Sequence, residues 1–153
     1  MDTGTTIRVG ILIGSPSDRP IADKISQALG GLGIGSEVKV LSAHRTPDRV
    51  VAYIRKAEAA GVQVFVACAG MAAHLAGVVA AHTLRPVIGV PVASGPLAGV
   101  DALLATVQMP PGIPVATVAI DGGRNAAVLA ARILALHDPA VRSEERRVGT
   151  ECS

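Results

Sequence analysis

The sequence predicts a three-layer α/β/α sandwich built on a parallel sheet of about five strands. Short apolar runs rich in β-branched residues recur along the chain, and segments with helical spacing of apolar residues lie between them. Apolar residues make up 50% of the 153 residues, with only one Tyr and one Phe. This composition is typical of buried strands covered by Ala-rich helices, and the length suits one domain with a sizeable core.

Five apolar runs are predicted to be buried strands: Ile7–Ile13, Val38–Leu41, Val64–Cys68, Val87–Val90 and Val115–Ile120. Helical spacing covers segments 21–32, 50–57 and 128–136. Each parallel connection crosses over the sheet with a right-handed turn, so helices cover both faces. The architecture is therefore the flavodoxin-like, doubly wound sheet, in which ligands bind beyond the carboxyl ends of the strands.

We expect a single domain over residues 1–141, followed by a polar tail over residues 142–153. The tail is rich in Arg and Glu and resembles translated sequencing-adaptor sequence, so it is left out of the fold prediction. The start of the chain lacks the pattern of a signal peptide, and no apolar run reaches the roughly 20 residues that span a bilayer. Cys68 and Cys152 suggest no disulfide framework. We expect a cytoplasmic protein that binds no membrane.

The net charge of +2 comes from scattered residues, and two isolated aromatics offer no stacking platform, so nucleic-acid binding is not expected. Metal ligands at a usual spacing are missing, and no metal site is expected. The sequence contains no GxSxG elbow, Walker A loop or HExxH motif. These observations leave a small-molecule site at the loops after the strands as the main expectation.

The first such loop, GSPSD at 14–18, follows a strand and precedes a helix. Glycine permits a tight turn, and free N–H groups and serine hydroxyls at such a turn bind anions such as phosphate. Taken alone, a purely structural role is the more common one, with Ser17 or Asp18 capping the helix and Pro20 within its first turn. The two roles are compatible.

The second loop, SAHRTP at 42–47, carries the stronger signal. Thr46 and Pro47 predict an N-cap and a first helical residue, which places His44 and Arg45 at the mouth of the helix. Arg45 has the geometry to bind phosphate with two donors, and His44 belongs to the residue type most often used to carry protons. An isolated His-Arg pair more often lies in a solvent-exposed loop without a function. Only the position of this pair after the second strand favours a ligand-binding site.

The third loop, AGMAAHLAG at 69–77, is built of small residues that let a ligand approach the backbone closely. Small residues equally serve tight helix packing. His74 either lines the site or caps backbone groups, and the residues alone do not decide between these roles.

Taken together, GSPSD, SAHRTP and AGMAAHLAG, followed by PVIGVPVASGPLAGVDALLATVQMPPGIPVATVAID at 86–121, closely resemble the 5-(carboxyamino)imidazole ribonucleotide mutases, the PurE family. The likeness runs from about Val9 to Leu136. It implies an isomerase of de novo purine (IMP) biosynthesis. The enzyme would move a carboxyl group from the amino nitrogen to the ring carbon of an imidazole ribonucleotide, with CO2 as a trapped intermediate.

The resemblance also implies roles for individual residues. His44 is the proton carrier, Ser15 and Arg45 contact the phosphate, and Asp18 contacts the ribose hydroxyls. The ring and carboxyl region is contacted by Ser42, Ala43, Ala69, Gly70 and His74. Neither a cofactor nor a metal is implied, and the family assembles as a homo-octamer. The chain departs from the family pattern at Met71, where a second Gly is common, and at Ala76, where Pro is common.

Two rival functions remain open. A carboxylase that takes up free CO2 shares this fold and histidine, but usually shows SAHK, so Arg45-Thr46-Pro47 argue against it. A noncatalytic flavin- or nucleotide-binding module is the other rival, because this fold hosts many functions. Flavin rings commonly stack on aromatic side chains, which this chain scarcely has.

Overall fold

The fold alternates strands and helices along the chain, and the computed structural model describes residues 4–144. The strands are β1 (Ile7–Ile13), β2 (Gly35–Val40), β3 (Val64–Gly70), β4 (Val87–Val92) and β5 (Ala116–Thr117). The helices are α1 (Arg19–Gly31), α2 (Pro47–Ala59), α3 (Leu75–Ala81), α4 (Val100–Val107) and α5 (Gly123–Ala135). A short 3-10 turn, Pro16–Asp18, precedes α1, and residues 139–144 are helical again.

The five strands form one parallel sheet in the order β2-β1-β3-β4-β5. This is the doubly wound order in which the chain reverses direction across the sheet between β1 and β3. In the register, Ile13 at the end of β1 lies beside Val40 of β2 and Cys68 of β3. The loops that follow these three strands therefore leave the sheet side by side, and the predicted fold class is confirmed.

Two apolar cores lie on opposite faces of the sheet, because successive side chains of a strand point to opposite sides. Val9, Ile11 and Ile13 of β1 pack with α1 and α5 on one face. Leu12 of β1 and Phe65 of β3 pack with α2 and α3 on the other. The helices thus form the two outer layers of the predicted sandwich.

The last strand is shorter than the predicted run Val115–Ile120, because only Ala116–Thr117 pair regularly with β4. Beyond them the chain still follows β4, with Asp121 N donating to Pro91 O at 2.8 Å. Proline has no N–H, so Pro91 cannot donate in return on that side and the regular ladder ends.

The other element boundaries differ from the predictions in smaller ways. β2 begins at Gly35, three residues before the predicted run, and β3 and β4 each extend two residues further. The small-residue segment 69–77 ends in helix α3, and the segment after 93–99 forms helix α4; neither is among the three segments named above for their helical spacing.

The end of the described chain packs on the domain. Pro139 begins a helical turn, Val141 is buried in the core of β1, α1 and α5, and Arg142 Nη2 donates to Ala135 O at 3.0 Å. Residues 145–153 of the predicted tail lie outside the described residues, so the division at residue 141 stays a prediction. Among residues 4–144 no helix is both long and apolar enough to cross a membrane.

Candidate functional site

The loop between β1 and α1 turns sharply at the edge of the sheet. Gly14 N donates to Cys68 O at 3.2 Å, which ties the start of the loop to β3. Ser15 then caps the 3-10 turn: its Oγ accepts from Ser17 N at 3.3 Å and lies 2.9 Å from Ser17 Oγ. The predicted capping role therefore falls to Ser15 and not to Ser17 or Asp18, while Pro20 does lie within the first turn of α1.

Asp18 is a buried carboxylate at the base of this loop, with 8% of its surface exposed. It stands at the N-cap position of α1, yet among the described residues its side chain makes no capping hydrogen bond. Burial raises the pKa of Asp18 above its ordinary value of 3.8, and a hydrogen bond with the backbone of Ser15 opposes the shift. A partly desolvated carboxylate of this kind gains from hydroxyl donors brought by a ligand.

Cys68 lies at the end of β3 and is fully buried. Burial, with a smaller contribution from the negative charge of Asp18, raises its pKa to about 12. The thiol therefore stays protonated at neutral pH and is a structural group, because the nucleophile of cysteine chemistry is the thiolate.

The loop between β2 and α2 is closed on itself by Ser42 and Thr46. Ser42 O accepts from Thr46 N at 3.0 Å and from Thr46 Oγ1 at 3.1 Å, and Ser42 N donates to Thr46 Oγ1 at 3.2 Å. Ser42 Oγ accepts from Arg45 N at 3.1 Å. Thr46 is the N-cap residue and Pro47 opens α2, as predicted. The closed loop leaves the side chains of His44 and Arg45 exposed at the sheet edge.

The loop between β3 and α3 brings His74 to this same place. His74 N donates to Ala72 O at 2.8 Å and Ala73 N donates to Met71 O at 2.8 Å, which makes a tight turn before α3. His74 occupies the N-cap position of α3, but its ring contacts His44. Met71 lies in the left-handed region with φ of 49°.

The two imidazoles form a hydrogen-bonded pair across the cleft mouth. His44 Nε2 lies 2.7 Å from His74 Nδ1, and the rings meet edge to face with centroids 4.8 Å apart and an interplanar angle of 78°. Such a contact requires one nitrogen to carry the proton and the other to accept it. The pair can therefore store a proton and pass it on without losing its geometry.

These three loops enclose a cleft of about 310 Å³ at the carboxyl edge of the sheet. Eight predicted site residues line it: Ser15, Asp18, Ser42, Ala43, His44, Arg45, Ala69 and Gly70. His74, the ninth, is not part of the lining and reaches the cleft through His44. Five further residues complete the wall, namely Gly14, Pro16, Met71, Ala72 and Leu75. All five stand inside the quoted loop motifs, and four of them are adjacent in sequence to a predicted residue, which was the available signal.

The side chains that line the cleft include hydrogen-bonding and charged groups, among them Asp18, His44 and Arg45. Within residues 4–144 no group of three His, Cys, Asp or Glu side chains is arranged to hold a metal ion. The aromatic rings of Tyr53 and Phe65 contact each other in the core on the α2 side. They are therefore not placed to stack on a flavin in the cleft.

An open parallel sheet with a cleft and an imidazole pair at its carboxyl edge defines a flavodoxin-like α/β protein equipped for acid–base chemistry. The family model described as AIR carboxylase matches residues 8–151 of the chain. The chain belongs to the AIR carboxylase family.

Relatives and solved structures agree with this assignment. The chain is 51% identical over 140 residues to an N5-carboxyaminoimidazole ribonucleotide mutase of Pyrococcus abyssi, covering 92% of this chain and 80% of that one. It is 49% identical to one of Brucella melitensis, covering 95% and 93%. A crystal structure of Treponema denticola PurE superposes with a TM-score of 0.87 at 33% identity, covering 94% and 89%.

Proposed function

We propose that this chain is an N5-carboxyaminoimidazole ribonucleotide mutase of purine biosynthesis, an isomerase that converts the N-carboxylated aminoimidazole ribonucleotide to its C4-carboxylated isomer. The observation that carries the proposal is the match, at about half identity and over most of both chains, to relatives named as this mutase. The proposal also excludes a noncatalytic flavin-binding role, because the matched relatives are enzymes by name.

The nucleotide binds across the three loops. Arg45 and Ser15 bind the phosphate, since a guanidinium and a capped turn both suit an anion. Asp18 accepts hydrogen bonds from the ribose hydroxyls. Its buried position and raised pKa support this role, because such donors compensate the charged carboxylate for lost hydration. The cleft of about 310 Å³ accommodates a ligand of modest size.

The ring and its carboxyl group lie against the small-residue wall of the cleft. Ser42, Ala43, Ala69 and Gly70 let the ring approach the backbone, and His74 completes this side through His44. A narrow cleft favours the reaction because CO2 released beside the ring recombines as if in an intramolecular step.

His44 moves the protons. In the first step the N–CO2 bond breaks, the electron pair stays on nitrogen, and the nitrogen gains one proton from His44 as CO2 is released. In the second step the ring carbon C4 attacks CO2, and His44 takes back one proton from C4. The hydrogen bond to His74 Nδ1 at 2.7 Å supports this cycle, because it orients the His44 ring in both steps. Protons and electrons balance without ATP, a metal or a redox cofactor.

The second candidate function is an aminoimidazole ribonucleotide carboxylase that takes up free CO2. The description of the matching family model, AIR carboxylase, is the observation in its favour. Arg45-Thr46-Pro47 favour the mutase, as do the names of the 51% identical relatives.

The enzyme acts in the cytoplasm as a homo-octamer, without a nucleic-acid or membrane partner. Support for an assembly comes from α4 and the loop before it, which expose apolar side chains at helical spacing. Leu97, Val100, Leu104 and Val107 are 58%, 52%, 52% and 45% exposed. An apolar face of this extent is typical of a surface that another protein covers.

One assay tests the function. Purified protein is given the N-carboxylated nucleotide without ATP or added bicarbonate, and formation of the C4 carboxylate is followed against the spontaneous reaction. The mutase converts it. Failure in this assay, combined with carboxylation of the uncarboxylated nucleotide at high bicarbonate, would establish the carboxylase instead.

A further inference from the structure

A second cavity lies beside the edge strand β2, on the face of the sheet that α2 covers. Its volume is about 610 Å³, and it shares no lining residue with the cleft. Alternate residues of β2 and the residue after it, Glu37, Lys39 and Leu41, line it from the sheet. α2 forms one wall with side chains at helical spacing, among them Arg49, Ala52, Tyr53 and Lys56. We name this cavity the β2–α2 groove.

A fixed polar contact lies at the floor of the groove. A Cβ atom built on Gly10 of β1 would lie 2.7 Å from the Tyr53 hydroxyl, so the glycine leaves room for the tyrosine to reach across β1. The hydroxyl donates to Oε1 of Glu37, the β2 residue beside Gly10, at 2.9 Å. Burial, followed by the hydrogen bond and negative charge of Glu37, raises the pKa of Tyr53 well above its ordinary value. The hydroxyl therefore stays protonated and keeps Glu37 in place.

The charges around the groove are unbalanced. Three cations, Lys39, Arg49 and Lys56, face one carboxylate, that of Glu37, so the lining has a net charge of +2. Glu37 is already engaged, because Oε1 accepts from Tyr53 and Oε2 lies 3.8 Å from Lys39 Nζ. Arg49 and Lys56 stand two turns apart on α2, and neither makes an ion pair within residues 4–144. Cations gathered around one concave surface attract an anion.

We propose that the β2–α2 groove binds a soluble phosphate monoester with a ring-shaped body, the chemical class to which nucleoside monophosphates belong. A phosphate monoester carries about two negative charges near neutral pH, which match the net charge of the lining. Its oxygens accept from Arg49 and Lys56. The ring lies on the apolar part of the floor, formed by Ile7, Leu41 and Val62. The groove is within the range of roughly 300–1,000 Å³ that is typical of small-molecule sites.

The site does not depend on the mutase reaction, so it is tested by binding. Adenosine 5′-monophosphate is titrated into the full chain with 13C-labelled Ile, Leu, Val and Ala methyl groups, and NMR spectra are recorded. We expect saturable shifts at Ile7, Leu41 and Val62 with a Kd below about 1 mM. Inorganic phosphate and adenosine each supply one half of the probe and should bind at least about tenfold more weakly.

Variants of α2 test the two parts of the groove separately. The double variant Arg49→Gln, Lys56→Gln should weaken binding of the nucleotide at least about tenfold, because it removes the two cations without ion pairs. Arg55→Gln is the matched control, since Arg55 is exposed on the same helix but lies outside the groove. Ala52→Phe keeps every charge and fills the space for the ring, so it should abolish the shifts. All four positions are exposed or half-buried on α2, and the methyl spectra without ligand verify the fold.

Several results would overturn the proposal. One is the absence of shifts in the groove, or shifts confined to Ala43 and Ala69, which would place the nucleotide in the cleft alone. Another is equal affinity of the double variant and Arg55→Gln. Inorganic phosphate that binds as tightly as the nucleotide would show an adventitious ion only. Loss of mutase activity in the wild type would refute the proposed function and leave these titrations unaffected.

Discussion

His44 combines a fixed backbone with an exposed ring. The hydrogen bonds between Ser42 and Thr46 close the loop beneath it, and the hydrogen bond to His74 sets the direction of its imidazole. A proton carrier needs this combination, because it must hold one geometry while its charge changes. The neighbouring Arg45 is held through its backbone by Ser42 Oγ, which leaves its guanidinium for the ligand.

Replacing His44 by Asn should abolish turnover and spare binding. Asparagine keeps a polar side chain in the loop but cannot carry a proton, so kcat should fall by at least about 10²-fold, the usual contribution of a general acid or base. Binding of the product nucleotide, measured by titration calorimetry, should change little. His82→Asn serves as the control, because the His82 ring lies outside the cleft and contacts Val78 O. A kcat for His44→Asn near that of the control would remove His44 from the mechanism.

The sequence predicted most residues of the cleft but not the contact between its histidines. Eight of the nine predicted site residues line it, because loops after adjacent parallel strands must meet at one edge. On residue type alone, a histidine such as His44 is more often a solvent-exposed loop residue than a catalytic one. Only its position after the second strand and the family resemblance favoured a catalytic role. His44 and His74 are 30 residues apart, and a distance of 2.7 Å between their nitrogens depends on the tight turn after Met71. Neither hydrophobic periodicity nor a motif encodes such a turn.

Helices α3 and α4 were not located from the sequence because their amphipathic patterns are weak. α4 exposes the apolar residues Val100, Leu104 and Val107 on one side and buries Ala102 on the other, so apolar residues lie on both sides and no polar face marks its period. α3 consists mostly of small residues, and the glycines in this segment are typical of a loop. The strands β1 and β3, buried on both faces, were predicted closely because their apolar runs are continuous.

The ion pair between Arg8 and Asp138 joins β1 to the last helical turn. Arg8 Nη1 lies 2.7 Å from Asp138 Oδ2, while Asp138 Oδ1 accepts from the backbone N–H groups of Ala140 and Val141 at 3.0 and 3.4 Å. The Arg8 hydrogen bond, followed by that of Val141, lowers the pKa of Asp138 below its ordinary 3.8. The folded state thus favours the ionised carboxylate, and this contribution is present above pH 3.8 and lost as the pH falls through the lowered value.

Asp138→Asn should therefore lower the free energy of unfolding at neutral pH. The variant's free energy of unfolding should also change less than that of the wild type as the pH falls. Asparagine retains an oxygen to accept from Ala140 and Val141, so the variant isolates the charge. Urea unfolding between pH 7 and pH 3 measures the effect, and the two proteins should converge in the acid range. Arg8→Ala should reproduce this convergence. A constant difference between wild type and Asp138→Asn at all pH values would contradict the ion-pair explanation.

At the scale of the whole molecule, the exposed apolar face formed by Leu97, Val100, Leu104 and Val107 concerns assembly. These side chains lie on α4 and on the β4–α4 loop, and the same loop packs against the β3–α3 side of the cleft, with Ser94 beside Gly70 and Gly95 beside Met71. An interface between copies on this face would therefore border the wall of the cleft. Assembly and activity would then be linked through the same loop.

If the proposed octamer uses this face, Leu104→Asp should dissociate it into smaller species, because a carboxylate in an apolar interface loses its hydration without gaining a partner. The side chain is 52% exposed in the single chain, so the fold itself should survive, as circular dichroism would confirm. Leu104→Met keeps the face apolar and should sediment like wild type in analytical ultracentrifugation. A wild-type protein that sediments as a monomer and is fully active would contradict the octamer, as would unchanged sedimentation of Leu104→Asp.

In the proposed reaction the carboxyl group moves within one cleft, from the nitrogen to the ring carbon of the same nucleotide. This transfer is tested most directly by 13C in the carbamate of the substrate, with unlabelled bicarbonate in the buffer and no ATP. Trapping of CO2 in the cleft beside His44 predicts that the product carboxylate retains the 13C label. A product that carries carbon from the buffer, formed at the enzymatic rate, would contradict it.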